Sequence, residues 1–196
     1  MSYTDYKRDL LSDDFDANYV LDRYYHSGQS FVFVGATSAD EESNLKYSIA
    51  RELFGAFAVR VHPFQLILCG SAHLGFSPVP DRLGTSFDPE RSDIDVAVVS
   101  PELFDMAWSE LQSVGLAAEV RSQISNDLFF GFINPAAIRD LCDFGGKWWT
   151  TFGGMETDRA NGIRGRLYRN FWSMQSYHKL GIYSGRAKLL APATAK

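Results

Sequence analysis

The sequence predicts an α/β fold of the α+β kind, a mixed β-sheet flanked by helices with a helical extension at the C-terminus. Three observations predict it. Two short apolar runs bounded by Gly, Pro and Ser, residues 64–69 and 92–99, read as buried strands. Helical periodicity surrounds them, clearest in Leu45, Ile49, Leu53 and Phe57. A last periodic set, Ile163, Leu167, Phe171, Met174 and His178, lies in a basic C-terminal stretch. The 196 residues, 45% hydrophobic and 22% charged, suffice for one domain with a real core. That composition excludes a disordered, collagen-like or disulfide-scaffold chain.

Residues 1–30 read as one helix with frayed ends, Tyr19, Val20 and Tyr24 falling at helical spacing. Phe31-Val32-Phe33-Val34 is a strand-like run stopped by Gly35. Ser38 and Glu41 have capping-box spacing, each side chain satisfying an orphan backbone donor of the helix that follows. Pro63 opens the first buried strand, which ends at Gly70-Ser71, and a Pro-, Gly-, Asp- and Ser-rich loop spans residues 75–92. The second strand starts with alternating acids, Asp93-Ile94-Asp95, and continues apolar to Val99. Ser100 as cap and Pro101 at the first helical position start a helix running to about Val114, with Gly115 as its stop. Residues 117–124 suit helix or strand, 125–127 a turn, and 128–133 a strand, with a helix opening at Asn134-Pro135. Residues 144–162 read as an ordered Gly-rich loop holding Trp148-Trp149, and residues 163–180 as a helix with Arg159, Arg166 and Arg169 on one face. A mobile tail is expected after Leu190. The expected organisation is a core over residues 1–140 with N-terminal helices, and a Gly-rich loop plus basic helix over 141–196 packed on it.

No apolar run approaches the roughly 20 residues of a membrane helix, and the polar, acidic N-terminus is unlike a signal or transit peptide. Two cysteines, Cys69 and Cys142, argue for a reducing compartment and against a zinc cluster. The expectation is a cytoplasmic chain without a membrane partner. Net charge is −5, but residues 159–196 carry +8 and no acid, leaving −13 on residues 1–158. Such a split suits a phosphate-bearing partner near the C-terminus, or a basic helix packed on its own acidic body.

The chemistry concentrates in residues 66–99. In a strand, residues i and i+2 project to one side, so Asp93 and Asp95 point together beside the Gly-Ser turn. Paired acids repel each other but suit a divalent cation with hard oxygen ligands, Mg²⁺ or Mn²⁺. Glycine allows close backbone approach to a phosphate, and serine adds anion donors. Asp and Ser are also ordinary turn and cap residues, a reading that leaves two acids inside an apolar strand unexplained.

Leu68-Cys69-Gly70-Ser71 followed by Ser92-Asp93-Ile94-Asp95-Val96 resembles the signature of the DNA polymerase β nucleotidyltransferase superfamily, in its minimal form. The likeness covers about residues 45–140. It implies a nucleotidyltransferase-like core in which Asp93 and Asp95 hold two metal ions on a nucleoside triphosphate and Ser71 binds the β- and γ-phosphates. Gly70, His73 and Ser92 fall beside that position, and Arg164, Arg166, Arg169 and Lys179 on the basic segment would offset phosphate charge. The implied reaction moves a nucleoside monophosphate onto a hydroxyl of RNA, protein or a small molecule. The resemblance also implies a toxin–antitoxin or phage-defence setting, in which small bacterial members often act.

Two departures from the family pattern matter. Ser71 and Asp93 are 22 positions apart, a longer spacer than is common in the family. The third acid, on a later strand, binds the second metal and deprotonates the attacking hydroxyl. Aligning Ile133-Asn134-Pro135-Ala136-Ala137-Ile138 with the family segment puts Gly131 at that position. The surrogates are Glu119, flanked by Ala118 and Val120, and Asp127; Glu119 is preferred if 117–124 is a strand. Two further readings stand beside the enzyme: a catalytically impaired nucleotide-binding sensor or regulatory subunit, and a nucleic-acid-binding module built on the basic segment. Gly145-Gly146-Lys147 lacks the remaining residues of a P-loop, and the four histidines lack metal-ligand spacing.

Overall fold

The computed structural model describes residues 2–38 and 40–191. Its centre is a four-stranded mixed sheet in the order β1-β2-β4-β3, with β1 Leu66–Cys69, β2 Asp93–Val99, β3 Phe132–Ile133 and β4 Gly162–Tyr168. β1 runs antiparallel to β2, β2 parallel to β4, and β3 antiparallel to β4. The expected mixed sheet flanked by helices is present.

The N-terminal residues are not one helix. α1 (Tyr3–Leu11) stops at Ser12, and Asp16 then caps α2 (Ala17–Leu21) by accepting from the Asn18 backbone N–H at 2.8 Å. A π-helical turn, Asp22–His26, follows. Phe31–Phe33 is a 3₁₀ turn rather than a strand, burying Val32 and Phe33 on the core with no neighbouring strand to pair with among the described residues. Asp40 occupies the cap position of α3 (Glu41–Phe57) without a side-chain cap bond, and of the expected box the glutamate half forms. Glu41 reaches back to the Thr37 and Ser38 backbone N–H groups, while the Ser38 hydroxyl accepts from Asp40 N–H.

α4 (Gly70–Leu74) follows β1 directly, and Ser100 caps α5 (Pro101–Ser113) through the Leu103 N–H at 3.3 Å. α6 (Ala118–Phe129) runs through the expected Ser125-Asn126-Asp127 turn and leaves a strand of two residues where six were expected. α7 (Pro135–Ile138) begins with Asn134 as cap, as its sequence suggests.

The largest departures lie after residue 140. The Gly-rich segment forms α8 (Asp143–Gly153), which buries Phe144, Trp148 and Phe152 one turn apart. Gly145 serves close packing, since a Cβ there would strike the Ile138 carbonyl on α7. Residues 162–168 are β4, not the start of a helix. Ile163, Gly165 and Leu167 face the core and Arg164 and Arg166 face away, a strand period that Phe152 enforces by filling the space of any side chain at position 165. α9 (Phe171–Leu190) starts only after Asn170 accepts from Ser173 N–H at 2.8 Å. Except for Ala191, the tail expected to be mobile lies outside the described residues.

The main core packs Leu66, Leu68, Ile94, Val96, Val98, Ile163 and Leu167 from one sheet face against α3, α5 and α8. The opposite face carries Cys69, Ala97, Val99 and Tyr168 under Met174 of α9. α9 covers only part of this face. A third cluster joins α1 and α2 to Ile182 of α9. No described helix is long and apolar enough to cross a membrane.

Candidate functional site

The uncovered part of the second face holds the acidic pair. Asp93 and Asp95 alternate with buried Ile94 and Val96, so both carboxylates leave the sheet on the same side. Asp95 lies opposite Cys69 in the antiparallel register. The chain turns there at Gly70, with φ +66°, and a Cβ on Gly70 would sit 2.8 Å from Asp95 Oδ2. Glycine is needed at this position twice over, for the left-handed backbone and for the approach of the carboxylate. Ser71 follows, half-buried, in the first turn of α4.

On the other side of β2, the parallel register sets Arg164 opposite Asp95 and Arg166 opposite Ala97. Arg164 Nε lies 2.5 Å from Asp93 Oδ2, and Asn161 Nδ2 donates to Asp93 Oδ1 at 3.3 Å. Arg166 Nε lies 3.7 Å from Asp95 Oδ1, while its Nη1 donates to the Tyr177 hydroxyl of α9 at 3.2 Å. Burial pushes the Asp95 carboxyl above its usual pKa, Arg166 pulls it back and Asp93 adds to the rise. Burial opposes the Arg166 charge, but Asp95 and the neighbouring tyrosines hold its pKa above the usual value.

These four side chains line one end of a cavity of about 740 Å³. Its other end is formed by α7 and α8, where Asn134 and Trp149 line the wall. Trp149 is 38% exposed and stacks beneath Arg139, 4.9 Å from guanidinium carbon to ring centre. The cavity therefore joins two cations and two carboxylates at one end to an aromatic wall at the other.

Other expected site residues lie elsewhere. Glu119 is exposed in the first turn of α6, so the strand on which its role depended does not exist. Asp127 is on the same helix, lining a small crevice against β3. Gly131 precedes β3, and Phe132 pairs with Tyr168 at the far end of β4. The Gly131 carbonyl accepts from Arg169 N–H, five positions past Arg164, so Gly131 lies roughly 17 Å along the sheet from Asp95. His73 is buried; its Nδ1 meets the Ser30 hydroxyl at 3.0 Å, burial lowers its pKa, and it lines a different cavity, with Lys46 and Glu42. The Ser92 hydroxyl accepts from Asp88 N–H at 3.3 Å in the turn before β2. Arg169 pairs with Asp105 at 3.2 Å and lines a groove between α5 and α6. Lys179 is half-buried on α9, outside the lining of the acidic cavity.

The sequence reading missed Asn161, Asn134 and Trp149 and assigned Arg164 and Arg166 to a helix. The signal that finds the arginines is the alternation Ile163-Arg164-Gly165-Arg166-Leu167, which has the period of a strand.

The donor set does not fit a two-cation centre. Among the described residues no three His, Cys, Asp or Glu side chains gather in a metal-binding group. Each of the two carboxylates already faces a guanidinium, and the parallel strand beside them contributes arginines where a further acid is called for. No protein-family model, curated protein or solved structure matches this chain.

Proposed function

We propose that this chain is a nucleotide-binding protein with a nucleotidyltransferase-like core, impaired in transfer and acting as a sensor or regulatory subunit. The observation that carries the reading is the single cavity in which Arg164 and Arg166 lie beside Asp93 and Asp95 at one end and Trp149 forms the wall of the other. Guanidinium forks match phosphate oxygens, and an indole face accepts a stacked base. General-base activation of an acceptor hydroxyl needs a carboxylate besides the cation ligands, and β4 supplies none.

A second reading is favoured by one observation, the tight packing of Gly70 against Asp95. That convergence of turn and acids suits transfer of a nucleoside monophosphate to a hydroxyl of RNA, protein or a small molecule. Incubation with each α-³²P-labelled nucleoside triphosphate and a cell extract separates the two. Retention of nucleotide without transfer is the expected result. Label on a macromolecule establishes the transferase instead, and absence of both retention and label removes both readings.

A further inference from the structure

We infer that Arg164 and Arg166 stand in for divalent cations, so that this site takes a polyphosphate directly on its guanidinium groups and without Mg²⁺. The inference rests on the nucleotide reading of the cavity and specifies how that site is charged. Asp93 and Asp95 are then positioning residues for arginines rather than metal ligands.

Both carboxylates meet their arginines at Nε, the inner corner of the guanidinium. The Nη edge carries four of the five N–H donors and is the edge that grips carboxylate or phosphate in a paired fashion. Arg166 spends one Nη donor on Tyr177. Arg164 lines the cavity with a side chain that is 61% exposed. The carboxylates thus anchor two arginines that both line the cavity.

Cation binding at the same acids meets an obstacle. Mg²⁺ needs its carboxylate oxygens at about 2.1 Å within an octahedron of oxygens. Arg164 Nε already lies 2.5 Å from Asp93 Oδ2, so a cation on that oxygen is repelled by the guanidinium until the arginine leaves. Displacing Arg166 is harder, because Asp95 and Tyr177 hold it from two elements, β2 and α9.

The test measures binding of inorganic tripolyphosphate, then of ATP, GTP, CTP and UTP separately, by titration calorimetry in EDTA and in excess Mg²⁺. Binding no weaker in EDTA is expected, and Arg164→Gln should weaken it by about tenfold. Arg166→Gln should do the same, but it exposes Asp95 to a folding defect; the surface variant Arg164→Gln keeps the result readable. Mn²⁺ binding, followed by electron paramagnetic resonance, adds an independent readout. Wild-type protein should leave Mn²⁺ free, and the Arg164→Gln/Arg166→Gln double variant, if folded by circular dichroism, should gain Mn²⁺ affinity. Polyphosphate binding that appears only with Mg²⁺, or Mn²⁺ held by wild type and lost in Asp93→Asn, overturns the inference while the nucleotide reading stands. No binding of any probe in either condition removes the nucleotide reading itself, and this inference with it.

Discussion

Arg166 reaches Asp95 diagonally across two parallel strands: its register partner is Ala97, yet its Nε lies 3.7 Å from the Asp95 carboxylate. The direct register partner of Asp95, Arg164, turns instead to Asp93. The two ion pairs are therefore each shifted by one same-face position, and the arginines lean toward the end of the sheet that α9 leaves open. Tyr177 on α9 holds Arg166 from behind.

Replacing Arg166 by Gln leaves Asp95 half-buried without its cation. A loss of about 1–3 kcal/mol at pH 7 is expected, less than for a fully buried pair because the Arg166 side chain is 37% exposed. The sign of its pH dependence follows from Asp95, whose carboxyl burial already holds above its usual pKa and which rises further once Arg166 is gone. The folded variant takes up that proton before the unfolded chain does, so the deficit should shrink as pH falls. Urea midpoints at pH 7 and at mildly acidic pH check this; a deficit that grows on acidification contradicts it.

Gly70→Ala tests the turn. A left-handed φ costs an alanine about 1–2 kcal/mol, and the new methyl carbon would press on Asp95 Oδ2 at 2.8 Å. Lower stability together with weaker polyphosphate binding is expected, since the carboxylate that orients Arg166 is displaced. Gly55→Ala on α3, where a Cβ meets nothing within 4 Å, is the control and should stabilise by about 0.5–1 kcal/mol. Thermal melts and calorimetry on the two variants separate the local clash from a general glycine effect.

The half of the site that lies on β1 and β2 was legible because its signals are local. A buried run stopped by Gly-Ser and an apolar strand opened by Asp-x-Asp each fit within a few residues. The half on β4 was not, because Ile163 and Leu167 satisfy helical spacing as well as strand alternation. What decides for strand is a tertiary fact, Phe152 of α8 filling the space beside Gly165. Likewise Gly145 signals a loop locally, yet it is required by the approach of α8 to α7. The expected strand at residues 31–34 failed for the same kind of reason, an apolar run with no neighbouring strand to pair with among the described residues.

Gly131→Asp tests whether an acid at the position suggested by sequence alignment can complete the site. Gly131 has φ +71° and is buried, and a Cβ there strikes the Ser173 hydroxyl at the start of α9. It also sits at the wrong end of β4, next to the Phe132–Tyr168 pair. The variant should lose about 2 kcal/mol or more and gain no transferase activity. Equal stability, or the appearance of label transfer in the α-³²P assay, would contradict this placement.

His178 should set part of the acid sensitivity of the fold. Its Nε2 is buried without a hydrogen-bond partner among the described residues, its ring packs 5.1 Å from Tyr25 and 6.2 Å from Tyr168, and burial lowers its pKa to about 4, with His26, Arg166 and His73 adding to the fall. An unfolded histidine takes up its proton near pH 6.5, whereas the folded one resists until about 4, so stability is lost as pH falls through that window. The loss is of order 1–3 kcal/mol, partly offset by Asp95, whose raised pKa favours the fold on acidification. His178→Phe keeps an aromatic ring between Tyr25 and Tyr168 but removes the titrating nitrogens. Its urea midpoint should therefore fall less than that of wild type between pH 6.5 and 4; parallel curves for the two proteins would place the acid-sensitive group elsewhere.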